Sequence, residues 1–386
     1  MLSNRKPLSP SLMTGFKKMY DYSKLLKDKT YYPSWETYYN PNLTYPQNIL
    51  HFFKQSVILP YDFYNVIAAY SLIPSALANR VPYLFFFGVS GSGKSTLGKL
   101  IAYIHGITIT SSETTYAAIR NSLRERKHKY ILIEGQDPKF PSYPKLIEAN
   151  TFMVWEDINT QTFLKRPEIY NLFKFGYDKS CDTIQISSEK IGKNETFRCF
   201  CPKVFSSIHP IHSHQKFKEL RRRLIVIPTK KLETIEQDLL DIDQINWRGF
   251  SKQFDEFWDY DCAEIYLSVR ATLTKHLKGL TSTEKTISLD LIATGITTGI
   301  WADEIIAVKE LRDCFDWLKE EKVPLENLLE GLLKDKESIY SRTIKAQVEV
   351  WYQQGYLLER PTNKEIIAVM REMGYRSDCK GSWVRQ

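Results

Sequence analysis

Gly88-Val89-Ser90-Gly91-Ser92-Gly93-Lys94-Ser95 sets a lysine and a hydroxyl behind three glycines. That spacing is built to hold phosphate. Gly88, Gly91 and Gly93 permit the positive φ angles and close approach that let backbone N–H groups curl around an anion. Lys94 supplies a point charge for the outer phosphates, and Ser95 a hydroxyl for Mg²⁺. Val89, Ser90, Ser92 and Thr96 complete the stretch expected to touch a nucleotide. Hydrolysis needs a further acid pair, one to hold Mg²⁺ through water and one to orient the attacking water. Glu156-Asp157 closes the apolar run 151–155 and meets that need. Glu156 is assigned to the metal and Asp157 to the base. Glu134 is a competing acid, but it stands alone in a segment that reads as an insertion.

Three other groups bear on the same chemistry. Residues 203–210 (KVFSSIHP) offer Ser206, Ser207 and His209 as polar contacts to a γ-phosphate or to water, with ordinary strand-end hydrogen bonding as the alternative. Arg221-Arg222-Arg223 precedes the apolar run 224–228. An arginine at a subunit edge stabilises charge on a phosphate bound next door; Arg223 is the first choice and Arg222 the second. The alternating stretch 183–200 reads as a hairpin with its turn at Gly192-Lys193-Asn194. Its cations, Lys190, Lys193 and Arg198, would meet nucleic-acid phosphates without reading bases. A solvated hairpin is the competing reading. His209, His212 and His214 with Cys199 and Cys201 match no familiar metal spacing.

These groups need a scaffold. Residues 81–87 form a buried strand leading into the glycine loop, and Thr96 onward a helix whose N-terminus points at the anion. Residues 107–110 read as a second strand, Ser111-Ser112-Glu113 as a possible cap for the next helix, and 130–135 as a further strand-like piece. Strands alternating with helices predict a parallel sheet covered on both faces. Residues 1–47, rich in Tyr and Pro, read as an ordered, irregular arm. The core is expected over 48–232 and a purely helical region over 233–322. Three short helices and a small β-wing over 323–386 suggest a winged-helix-like domain.

Composition agrees with a chain of two or three domains: 386 residues, 43% hydrophobic, net charge +8. The excess positive charge favours an anionic partner. Six cysteines without a C-x-x-C pair suggest free thiols in a reducing compartment, and hence a cytoplasmic setting. No apolar run is long enough to span a bilayer, so no membrane association is expected. Arg5, Lys6, Lys17 and Lys18 resemble a transit peptide, but Pro7 and Pro10 would break its helix.

The series glycine loop, acid-ended strand, hairpin, KVFSSIHP, LRRRLIVIP resembles helicase-type AAA+ ATPases. It is most similar to the superfamily-3 and minichromosome-maintenance-like branch of plasmids, phages and genomic islands. The resemblance covers roughly 48–230. It implies ATP and Mg²⁺ bound between subunits of a homo-oligomeric, hexameric ring, with hairpin tips following single-stranded DNA through a central pore. The activity implied is ATP-dependent translocation or unwinding in replication of a mobile element. The chain departs from the family where Glu156-Asp157 inverts the usual acid order and where His209 or Ser207 stands for an Asn. An ATPase switch that recruits partners in transposition, partitioning or defence is the alternative. A monomeric small-molecule kinase would use the same loop.

Overall fold

The computed structural model describes residues 32–111, 113–125, 127–133, 144–158, 160–188, 193–208, 211–213, 217–231, 238–273, 277–320, 325–333, 336–353, 357, 360–378 and 381–385. Most of the expected N-terminal arm lies outside them. Its last part is ordered, with the Trp35 ring packed 4.9 Å from Phe250.

Helix α1 (Tyr45–Ser56) starts at a capping box in which Thr44 and Gln47 satisfy each other's backbone N–H groups. Helix α2 (Tyr64–Ser71) leads to strand β1 (Tyr83–Phe87), buried at every position. Helix α3 (Lys94–His105) begins after Gly93 and ends at Gly106, both left-handed, with φ of 87° and 59°. The expected strand at 107–110 reduces to one parallel bridge from Thr110 to Trp155. Helix α4 (Tyr116–Glu125) is capped by Thr115, whose hydroxyl accepts from the Ala118 N–H at 3.2 Å, and not by Ser111-Ser112-Glu113. Strands β2 (Lys127–Ile133) and β3 (Pro144–Asn150) form an antiparallel pair between α4 and the rest of the main sheet, which makes this segment an insertion. The sequence reading has no strand at β3, and Glu134 lies outside the described residues.

Strand β4 (Met153–Trp155), helices α5 (Thr160–Lys165) and α6 (Pro167–Phe175), and hairpin strands β5 (Thr183–Ser188) and β6 (Lys193–Arg198) follow. Strand β7 (Lys203–Ser207), the short helix α7 (Lys218–Arg221) and β8 (Leu224–Pro228) complete this part. The main sheet is parallel and runs β4–β7–β1–β8, with Thr110 beside β4. Chain order and spatial order therefore differ: β7 inserts between the strand that enters the glycine loop and the strand that ends in Glu156-Asp157. The register aligns Phe87 with Ser207 on one side and Pro228 on the other, so loop and acids emerge at one edge.

Alternation along the strands divides the core. Leu84, Phe86, Val154, Val204, Ile225 and Ile227 face one cluster, and Tyr83, Phe85, Trp155, Phe205 and Val226 the other. The first cluster is continuous with α8 (Phe250–Phe257), α9 (Tyr260–Leu273), α10 (Ser282–Thr297) and α11 (Glu304–Glu320). The helical region expected at 233–322 thus shares its core with one face of the sheet. The chain closes with α12 (Leu325–Leu333), β9 (Ser338–Tyr340), α13 (Ser341–Gln353), α14 (Asn363–Glu372), β10 (Tyr375–Ser377) and β11 (Ser382–Arg385). These strands form an antiparallel sheet of order β10–β11–β9 around a separate core that includes Leu329, Ile344, Met370 and Trp383. Among the described residues no helix is long and apolar enough to cross a membrane. The five described cysteines are free thiols.

Candidate functional site

A cavity of 540 Å³ opens where β1 gives way to α3. Its floor is Ser90–Thr96; Asp157 and Ile208 stand on one side and Lys230 and Lys231 on another. Ser56, Val57, Ile58 and Leu239 add a largely apolar end. Gly93 is left-handed and also makes a close contact, whereas Gly88 does not take the expected positive φ and is needed for close contact alone. A Cβ on Gly88 would stand 2.2 Å from the Thr229 carbonyl oxygen, and one on Gly93 2.7 Å from Val57. The loop is stapled to β8: the Thr229 N–H donates to Phe87 O at 2.7 Å, and the Ser92 and Thr229 hydroxyls lie 2.7 Å apart.

Lys94 is buried, and its Nζ donates to the carbonyls of Gly88 at 2.8 Å and Val89 at 2.7 Å. The amine therefore lies within the curl of the loop. Burial holds its pKa below the usual lysine value, and the nearby Asp157 carboxylate opposes that shift. An anion entering the curl would give this ammonium a far better acceptor than two neutral carbonyls.

Asp157 has a φ of 53°, the one non-glycine described residue in the left-handed region. Asp tolerates this better than most residues, and the turn brings it to the cavity wall. Its backbone N–H donates to Ser206 Oγ at 3.3 Å, which ties the acid pair to β7. Glu156 is half-buried. Desolvation raises its pKa, while Lys99 and the Ser95 hydroxyl partly offset the effect. Its Oε1 is buried without a hydrogen-bond partner in the described structure. An orphaned carboxylate oxygen next to a serine hydroxyl is a donor set that fits a hard divalent cation such as Mg²⁺. Ser207 is buried opposite Phe87, and its carbonyl accepts from the Gly88 N–H at 3.4 Å. Ser206 and Ser207 thus bridge the loop and the acid strand. His209 lies outside the described residues.

Three other expectations change. Arg223 is packed against its own chain and not extended from it. Its side chain is 12% exposed, its Nη1 donates to Lys174 O at 2.6 Å, and its guanidinium lies 4.1 Å from the centroid of the Tyr177 ring. Packing within its own chain holds it. Arg222 is 69% exposed and has only a loose contact with Glu219 at 3.9 Å. The hairpin register pairs Ser188 with Lys193, so Lys193 opens strand β6 instead of sitting in the turn. The physical reason is Phe197: it is buried opposite Ile184 and fixes the ladder. Lys190 lies outside the described residues, and so does the turn itself. Arg198 sits at the hairpin's base, with its Nε 3.0 Å from the buried Asp182 carboxylate, far along the ladder from the tip. Its first task is to neutralise that acid.

His212 is a core residue. It packs against Phe85 and Phe87, and burial pushes its pKa down to about 3. Among the described residues no three His, Cys, Asp or Glu side chains cluster as a metal site would need.

Local reading missed the apolar end, Val57, Ile58 and Leu239, and the basic pair Lys230-Lys231. Only the lysine pair left a signal, as two cations directly after the apolar strand LIVIP and Thr229. The chain matches no known family model and no curated protein.

Proposed function

We propose that this chain is a helicase-type AAA+ ATPase that works as a homo-oligomeric ring on DNA. One observation carries the reading: β7 lies between β1 and β4, so Lys94-Ser95, Ser206-Ser207 and Glu156-Asp157 converge at one sheet edge. A phosphate loop with its acids one strand removed leaves room for a γ-phosphate and a water between them.

In this scheme the loop amides and Lys94 bind the phosphate chain, and Val57, Ile58 and Leu239 take the base. Ser95 and Glu156 would hold Mg²⁺, which when bound supplies positive charge to the phosphate oxygens. Asp157 orients the attacking water and accepts its proton, held in place by the Ser206 contact. Ser207 anchors the loop's first glycine. The order helix–strand–helix–helix–strand–strand in 325–385 supports the winged-helix reading of the last domain.

The deciding experiment measures ATP turnover with and without single-stranded DNA, strand displacement on a forked duplex, and mass with a non-hydrolysable ATP analogue. A ring motor gives DNA-stimulated turnover, displacement and a multimeric mass. Turnover without displacement leaves the partner-recruiting switch, and a monomeric mass with the analogue defeats the ring.

The arginine contacts add a sharper test. Arg222→Ala is expected to lower turnover on the order of a thousandfold, the scale of an arginine supplied in trans, with the melting midpoint unchanged. Arg223→Ala should instead cost about 1–2 kcal/mol of stability through lost stacking and a lost carbonyl contact. Mixing Arg222→Ala chains with Asp157→Ala chains should restore part of the activity. Silence from a co-assembled mixture would remove the shared site.

A further inference from the structure

We infer that Lys231 is a phosphate-binding residue of the same cavity, one that closes over the outer phosphates of a nucleoside triphosphate from the β8 side. The inference rests on the nucleotide reading above. Its grounds are geometric. Thr229 is fixed to the loop by hydrogen bonds to Phe87 O and to the Ser92 hydroxyl, so the chain leaving β8 cannot swing away. Two residues on, the Lys231 stem lies across the loop. Its Cδ and Cε stand 3.9 and 4.0 Å from the place a Cβ would occupy on Gly91. Gly91 has a φ of 75° and no side chain, so nothing separates that stem from the loop backbone.

Charge points the same way. The cavity is lined by three cations, Lys94, Lys230 and Lys231, and by one exposed acid, Asp157. Lys94 is turned inward onto two carbonyls. Among the described residues neither Lys230 nor Lys231 lies in an ion pair, so both ammonium groups remain for a ligand. Lys231 is the one whose stem is laid against the loop. An ammonium held there adds charge for the β- and γ-phosphates and little for a monophosphate lodged nearer the apolar end. The residue therefore reads phosphate number.

Calorimetric titration of the full chain with Mg²⁺ and three ligands tests this: a non-hydrolysable ATP analogue, ADP and AMP. Lys231→Met is expected to weaken the triphosphate analogue about tenfold, as one charge-assisted contact implies, and to change AMP less than about twofold. Lys231→Arg keeps the charge and should stay within about threefold of the unaltered protein for the analogue. Analogue affinity of Lys231→Met within twofold of the unaltered protein overturns the assignment. So does an equal loss for analogue and AMP, which would mark a structural effect. If the unaltered protein binds none of the three, the nucleotide reading falls and this inference with it. Binding by the unaltered protein with no response at Lys231 defeats the inference alone.

Discussion

Lys94→Ala is expected to abolish measurable ATP turnover, a loss of at least about a hundredfold, with the fold intact. The amine is the one cation inside the curl of the loop, donating to Gly88 O and Val89 O. A phosphate arriving there would exchange two neutral acceptors for a charged one in a water-poor site, where such contacts are strongest. No other side chain can replace it, because Lys231 approaches from outside at Gly91. The fold should tolerate the change because of where the charge sits. Burial lowers the Lys94 pKa below its unfolded value. The folded state therefore binds that proton less tightly, and stability linked to this group is present above the unfolded pKa and withdrawn as pH falls through the folded pKa. At neutral pH the buried charge is a net cost. Removing it should leave the melting midpoint within a few degrees of the original. Turnover and melting measured on the same preparation separate the cases. A stable variant that still hydrolyses ATP would show that the loop does not bind the reacting phosphate.

What was legible in the sequence was local. The glycine loop between β1 and α3 is legible because its glycines and lysine fall within eight consecutive residues. The position of the acid pair is legible because it directly follows a short, fully buried apolar strand. The C-terminal helices and the β10–β11 strand pair are also legible, since each element carries its own periodicity. Long-range packing was not. The sequence favours Arg223 because it sits nearest β8, yet Tyr177 and Lys174, some fifty residues earlier in the chain, hold its side chain. Gly192 draws the expected hairpin turn toward itself, whereas burial of Phe197 sets the ladder. Strand β3 was lost among prolines and lysines because its pairing with β2 is a nonlocal fact. The cavity's apolar end joins residues 57–58 to residue 239, a closure that no window of the sequence contains.

Asp290→Ala is expected to be the most destabilising single substitution considered for this chain, by about 3–5 kcal/mol. The carboxylate is 1% exposed on α10. One oxygen accepts from the backbone N–H groups of Asn79 and Arg80, each at 2.9 Å. The other accepts from the Tyr266 hydroxyl at 2.7 Å and from the Arg270 guanidinium. Alanine would leave all four donors without an acceptor, including a half-buried cation, and each unsatisfied group carries its own desolvation cost. Asn79 and Arg80 stand just ahead of β1, so this one side chain fastens the helical region to the strand that feeds the glycine loop. Asp290→Asn should lose most of the same stability despite its equal shape, because one of its two edges then presents a donor to donors. Denaturant melts of both variants should show a lower midpoint at an unchanged slope, with thermal midpoints down by roughly 10 °C. An alanine variant within about 1 kcal/mol of the original would mean that water reaches these donors and that the two parts are held by apolar packing alone.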